Sequence, residues 1–264
     1  MTELTIREPG VGGGGLEPAV EGYGLIGLFP PDLTGYHDGA RIPLATGVAL
    51  VRAMLRDNGA WCRLEVDERF FVHIGYDQYM YIGSSEPCDD AVARVRDLGL
   101  FPVMVPRSPW GFHGVELEVP RPADDAFWAE VSELVTACGT VLLQERAFIG
   151  RSRWHRLRAS DIPAVRSGIA PRAALTVWPE LNEDVVGELR TLDDRDVALL
   201  VWEDRDGVIT SRTADGEERP MIAVELTQAR GAMVLTLHEE DEDPPLAEAV
   251  LPDDDGVVRV RWSV

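Results

Sequence analysis

The chain contains no lysine: all 25 of its Lys+Arg residues are arginine. That excludes a Schiff-base lysine, the lysine of a phosphate-binding P-loop and the ATP-anchoring lysine of a protein kinase. Cysteine is scarce. Cys62, Cys88 and Cys138 are an odd, scattered set without a C-x-x-C pair, so neither a redox couple nor a zinc ribbon is indicated, and buried free thiols in a reducing compartment are expected. No apolar run approaches the roughly 18 residues of a membrane-spanning helix. The opening residues, MTELTIREPGVGGGG, have neither the basic stretch nor the apolar core of a secretory signal, so a cytoplasmic location is expected. No G-x-S-x-G, H-E-x-x-H, paired-histidine or EF-hand spacing occurs, so we expect no catalytic residue, no metal site and no cofactor.

Negative charge is abundant. The net charge is −21, and it is unevenly placed. Residues 1–121 carry 10 arginines against 17 acids, residues 122–172 carry 7 against 6, and residues 173–264 carry 8 against 23, a local charge of −15. Such a field repels nucleic acid and anionic membrane and favours a basic partner, besides aiding solubility.

The Gly/Pro/Glu-rich residues 1–21 read as a flexible tail. G-x-G-x-x-G occurs at Gly10, Gly12 and Gly15 and again at Gly22, Gly24 and Gly27. A dinucleotide site needs those glycines between a strand and a helix. No strand is expected before the first match, and the second runs into Pro30–Pro31, so neither is taken as a cofactor loop. YGLIGLF (23–29) reads as a buried strand. Residues 43–59 read as a helix with Leu44, Val48, Val51 and Leu55 at helical spacing. Strands are expected at 61–68, 69–74 and 78–83, joined by tight turns, then a helix over 88–99 and a strand over 100–105. A strand (HGVELEV), a helix (DDAFWAEVSELVTACG) and a strand (TVLLQERAF) follow, then RSRWHRLR and a short helix. The last section reads as a strand (174–178), a helix over 182–192 capped by Asn182, a hairpin, a helix over 219–231, a strand over 232–238 and a closing hairpin. These orders predict an α+β protein: two ferredoxin-like (split βαβ) sandwiches with mainly antiparallel sheets, at 22–121 and 173–264, joined by an arginine-rich connecting section, 122–172.

Two stretches are candidates for function. In FFVHIGYDQYMYIGS (70–84), strand alternation places Phe70, Val72, Ile74, Met80 and Ile82, with Cys62, Leu64 and Val66, on an apolar face toward the helices. The opposite face carries Trp61, Arg63, Glu65, Phe71, His73, Tyr79 and Tyr81. Aromatic rings on the open face of such a sheet could stack nucleic-acid bases, although the charge opposes a polyanion. They could equally anchor a protein or small ligand, or be covered as core. His73 beside a phenol or Asp77 could move protons, but Asp77 falls in a turn where Asp is favoured for backbone reasons. The second stretch is RSRWHRLR (151–158). As a strand it turns Arg151, Arg153, His155 and Leu157 one way and Trp154, Arg156 and Arg158 the other. Its guanidinium groups could bind phosphate or carboxylate, or pair internally with the acidic C-terminal region. HEEDED (238–243) and DDD (253–255) read as solvated acids and turn residues.

The expectation from sequence is therefore a non-catalytic cytoplasmic protein, of the immunity or adaptor type, whose acidic surface docks a basic protein partner. A small-ligand or nucleotide-binding protein, or a small enzyme, using His73, Tyr79, Tyr81 and the Arg151–Arg158 strip is the first alternative. Nucleic-acid binding through the aromatic face is the second.

Overall fold

The computed structural model describes residues 2–12, 21–66, 69–75, 79–105, 120–191, 197–236 and 244–259. It is a mixed α+β structure with antiparallel sheets. The described residues form two compact units, one of residues 2–105 with 148–150, the other of 120–147 with 151–259. HGVELEV, Asp77 and HEEDED lie outside the described residues.

The first unit is built on β1 (Glu3–Val11), β2 (Arg41–Pro43), β3 (Ala60–Val66), β4 (Phe70–Ile74) and β5 (Met80–Ser84), in the order β2-β1-β3-β4-β5. The stretch read as an N-terminal tail therefore supplies an inner strand. Thr5 pairs with Arg41 on one side and Glu65 on the other. ELTIREPGV has weak strand propensity beyond its Leu4–Ile6 alternation, and pairing on both edges supplies what propensity does not. The ladder shifts between Arg7 and Gly10. Glu8 there has a positive φ of 50°, Pro9 has no N–H to donate, and the Glu8 N–H goes to the Asp38 carboxylate at 3.0 Å.

Helix α1 (Leu44–Leu55) covers one face of this sheet. Its buried positions are Gly47, Leu50, Ala53 and Met54. Leu44, Val48 and Leu55, whose spacing had suggested the core stripe, are exposed. Glycine decides the rotation: a Cβ at Gly47 would run into Leu4 and touch Leu64, so the helix sits closest to the sheet where it has no side chain. Helix α2 (Asp89–Asp97) buries none of its residues. Met80 and Ile82, expected as core on β5, are accordingly 45% and 54% exposed. Residues 100–105 are irregular and mostly exposed, not a strand, and 23–29 form a 3₁₀ turn followed by a turn with an isolated Ile26–Phe29 bridge rather than a buried strand, with only Leu25 buried. Cys62 is buried, while Cys88 and Cys138 are exposed.

The second unit has four layers. Helices α3 (Asp125–Cys138) and α4 (Ile162–Gly168) cover one face of a sheet of β12 (Ala247–Val250), β8 (Ala174–Trp178), β6 (Val141–Phe148) and β7 (Arg151–Leu157). Phe127, Val131 and Val135 of α3 meet Val141, Leu143, Leu157, Leu175 and Val177 there. Residues 122–172 thus contribute a helix layer and two strands to the sheet that also holds β8. The other face carries Leu142 and Trp154, which meet Val201, Met233 and Leu235 of a second sheet. That sheet is β10 (Ile209–Asp215), β9 (Val197–Glu203) and β11 (Gly231–Thr236). Its outer face, with Leu200 and Ala214, is covered by Leu189 of α5 (Val185–Thr191) and Ile222 of α6 (Arg219–Glu225). Asp184, not Asn182, receives a first-turn N–H of α5, that of Gly187 at 2.9 Å. α6 gives way to a 3₁₀ turn at Leu226–Gln228. The strand orders of both units differ from a split βαβ sandwich, because residues 3–11 enter the first sheet, 100–105 do not, and 141–157 enter the second.

Candidate functional site

The register of the β3–β4–β5 meander fixes which side chains share a face. Leu64, Val72 and Ile82 lie in one cross-strand row, and Glu65, Phe71 and Gly83 in the next. His73 lies opposite Tyr81. On the face away from α1, His73 is only 1% exposed. Its ring meets Trp61 edge-on at 5.2 Å and lies 6.0 Å from Tyr81. Trp61 is itself fixed, donating its indole N–H to the Ile74 carbonyl at 2.8 Å. Phe71 lies across Gly83, where a Cβ would overlap the ring. Tyr79 is 68% exposed. These five residues are therefore not one open aromatic platform.

Beside them lies a group that sequence reasoning did not assemble. Arg7 donates through Nε to Glu65 at 2.7 Å and through Nη1 to Asp38 at 3.2 Å. Arg63 reaches Glu8 at 3.4 Å and Glu65 at 3.7 Å. Glu8, Asp38 and Glu65 are all buried. Burial pulls the Arg7 pKa down, but the hydrogen bond and charge of Glu65 and the charge of Asp38 outweigh it and raise it above its ordinary value. Two guanidinium groups among three carboxylates form an ion-pair network with one carboxylate in excess. It holds the β1 bulge, the loop before β2 and β3 together. Its members come from the presumed tail and from a loop, so only the alternation Arg63-x-Glu65 was visible in sequence. Near the bulge, burial, followed by the neighbouring Cys62, pushes the Tyr36 phenol well above its usual range. Burial likewise raises the Cys62 thiol, against a smaller opposing effect of its hydrogen bond with Tyr36. Neither group is an activated nucleophile.

The arginine strip is β7, and its two sides part as alternation requires. On the helix side, His155 Nε2 lies 2.7 Å from Glu145 Oε2, and Arg153 lies 3.5 Å from the same oxygen. The other oxygen of Glu145 accepts the Ala170 N–H at 2.8 Å. Arg151 is exposed. On the inter-sheet side, Trp154 donates to the Ser211 hydroxyl at 2.9 Å, and Arg156 forks between two carboxylates. It binds Glu180 at 2.9 and 3.0 Å and Glu203 at 3.1 and 2.9 Å. Those hydrogen bonds, from Glu203 first and Glu180 second, raise the Arg156 pKa further. Farther along the chain Arg172 closes similarly on Asp253 at 2.7 and 2.9 Å.

No known protein family, curated protein or solved structure matches this chain. The chemistry must therefore be read from the geometry. Arg153 and Arg156 point to opposite sides of β7, and each meets glutamate. They do not converge on a phosphate-sized space. His155 is matched with a buried carboxylate already held by a backbone N–H, an arrangement that orients side chains. Asp253 and Asp255, from the acidic DDD run, pair with Arg259, Asp253 also taking Arg172.

Two outcomes follow. Gly83→Val is expected to lower stability by about 1–3 kcal/mol, because Phe71 must leave its place; urea unfolding of the purified variant measures this. The second concerns pH. Burial pushes Glu145 up, but the hydrogen bonds from His155 and Ala170 N–H and the Arg153 charge bring it below the ordinary 4.5. Glu203 is lowered chiefly by Arg156; in Glu180 burial is outweighed by Arg156 and the Leu181 N–H. A carboxylate whose pKa is depressed on folding stabilises the fold above its unfolded value and loses that contribution as pH falls through the folded value. The urea midpoint of the second unit should therefore hold steady above the ordinary carboxylate value of 4.5 and fall progressively below it. A flat profile down to about pH 3 would contradict these assignments.

Proposed function

We propose that the chain is a non-catalytic cytoplasmic binding protein, of the immunity or adaptor type, whose acidic C-terminal unit docks a basic protein. The observation that carries this reading is the disposition of charge in that unit. Its arginines at 156 and 172 are spent on internal carboxylates, while Glu183, Asp184, Asp206, Glu217 and Asp254 are exposed. Residues 173–264 carry a charge of −15 in sequence, and these exposed acids can steer a basic partner. Among the described residues no helix is long and apolar enough to cross a membrane.

The small-ligand, nucleotide or enzyme reading has less support, since His73 is enclosed by rings and the β7 arginines face two ways. The nucleic-acid reading has least, since of the aromatic face only Tyr79 is largely exposed. The ferredoxin-like description of the units is supported only by helices lying on antiparallel sheets.

The test is affinity capture at about 50 mM salt, followed by titration of the captured, purified protein against this chain at rising ionic strength. We expect a basic protein that binds stoichiometrically, with an affinity that falls as salt rises. Failure to recover any protein partner, together with a thermal shift on adding a nucleotide, would replace this reading with the ligand-binding one.

A further inference from the structure

We infer that the outer face of the α5–α6 layer is the docking surface, and that its occupant is a basic amphipathic segment of the partner, with apolar side chains on one side and arginine or lysine beside them. This rests on the binding reading above and adds the place and the partner's chemistry.

Helix α6 has two unlike sides. Ile222, with Leu226 just beyond, turns inward onto β9 and β10, packing with Leu189, Leu200 and Ala214. Met221 and Val224, three residues apart and so on one side, turn outward at 55% and 71% exposed. On α5, Leu189 is buried in the same cluster and Val186 is 61% exposed. The layer thus shows apolar side chains on its solvent side after its inner side has met the sheet. Methionine there suits a surface that must adapt to a partner.

The surroundings of these side chains are acidic. Glu183 and Asp184 precede α5, and Glu217 precedes α6, all exposed. Over 183–191 and 215–225 together there are seven acids against Arg190 and Arg219; of these Glu188 accepts from Asn182 and the Val234 N–H, and Asp215 and Glu218 cap the turn before α6. Glu225 is offset by Arg212 at 3.4 Å. An apolar strip with an acidic rim repels phosphate-rich nucleic acid, anionic lipid and a second copy of the same face. It complements a segment whose apolar residues are flanked by cations. Residues 98–105 expose more apolar surface, but nothing there specifies what would cover it.

The test uses the full chain and three labelled 18-residue helical peptides: leucine/arginine, leucine/glutamate and serine/arginine. Fluorescence anisotropy should show binding of the first alone, weakening as salt rises. The double variant Met221→Ser/Val224→Ser should weaken it about tenfold. Val208→Ser, at a residue 55% exposed in the β9–β10 turn, should leave it unchanged. Because all three side chains are exposed, circular dichroism of the variants should match the parent; hydrogen exchange of 219–226 should slow in the complex. Equal binding to parent and double variant, or protection elsewhere, overturns the surface assignment. If the leucine/arginine peptide does not bind but a captured basic partner does, and that partner is unaffected by the double variant, the surface is wrong and the binding reading stands. If neither peptide nor any basic partner binds, both fail.

Discussion

Replacing Arg156 by leucine is expected to destabilise the second unit by about 2–4 kcal/mol. Arg156 lies between the two sheets, with Glu180 and Glu203 on either side of its fork. Its side chain is 28% exposed and that of Glu203 only 10%. Removing the guanidinium leaves Glu203 facing mainly Arg230, at 3.8 Å, and the cost is chiefly that of an under-compensated, poorly solvated carboxylate. Arg156→Lys should recover only part of the loss, because an ammonium cannot present two parallel N–H pairs to two carboxylates. A double-mutant cycle with Glu203→Leu should give a coupling of about 1–3 kcal/mol. Urea unfolding followed by hydrogen exchange in β7 and β9 provides the measurement. A loss under about 0.5 kcal/mol would mean that the clasp is only a surface pair.

Asp38→Ala is expected to cost the first unit about 3–5 kcal/mol. The Asp38 side chain is fully buried. It serves the Glu8 N–H and Arg7 together, so its loss strands a backbone donor at the bulge and removes one of the carboxylates that hold Arg7. Asp38→Asn keeps an acceptor for the N–H and should cost less. Accelerated amide exchange confined to β1 and residues 36–43 would locate the effect. Exchange unchanged there would show that the bulge holds without the carboxylate.

What was legible in the sequence followed from local periodicity. The two faces of the meander and the two sides of β7 depend only on alternation, and the register pairs Leu64 with Val72 and Ile82 accordingly. What was not legible depended on distant partners. Arg156 meets residues 24 and 47 positions away, and no local pattern encodes that. α1 misled because two apolar stripes share the helix, and choosing between them requires knowing that Gly47 faces Leu4. Residues 100–105 have strand composition but no pairing strand among the described residues, and composition alone does not make a ladder.

The inner position of β1 bears on how the first unit is assembled. β3, β4 and β5 pair through short connections and can form early. β1 pairs Thr5 with Glu65, so it must be captured by closing a loop of more than half the unit, a slow step for a non-local pairing. Until that happens, β2 and β3 are two strand edges with a gap of one strand between them. A strand from another chain fits the same gap. Shortening the chain at residue 12 should therefore not trim a tail. It should leave an open slot and a protein that oligomerises through it, and a synthetic peptide of residues 3–11 supplied in trans should fill the slot and suppress that oligomerisation.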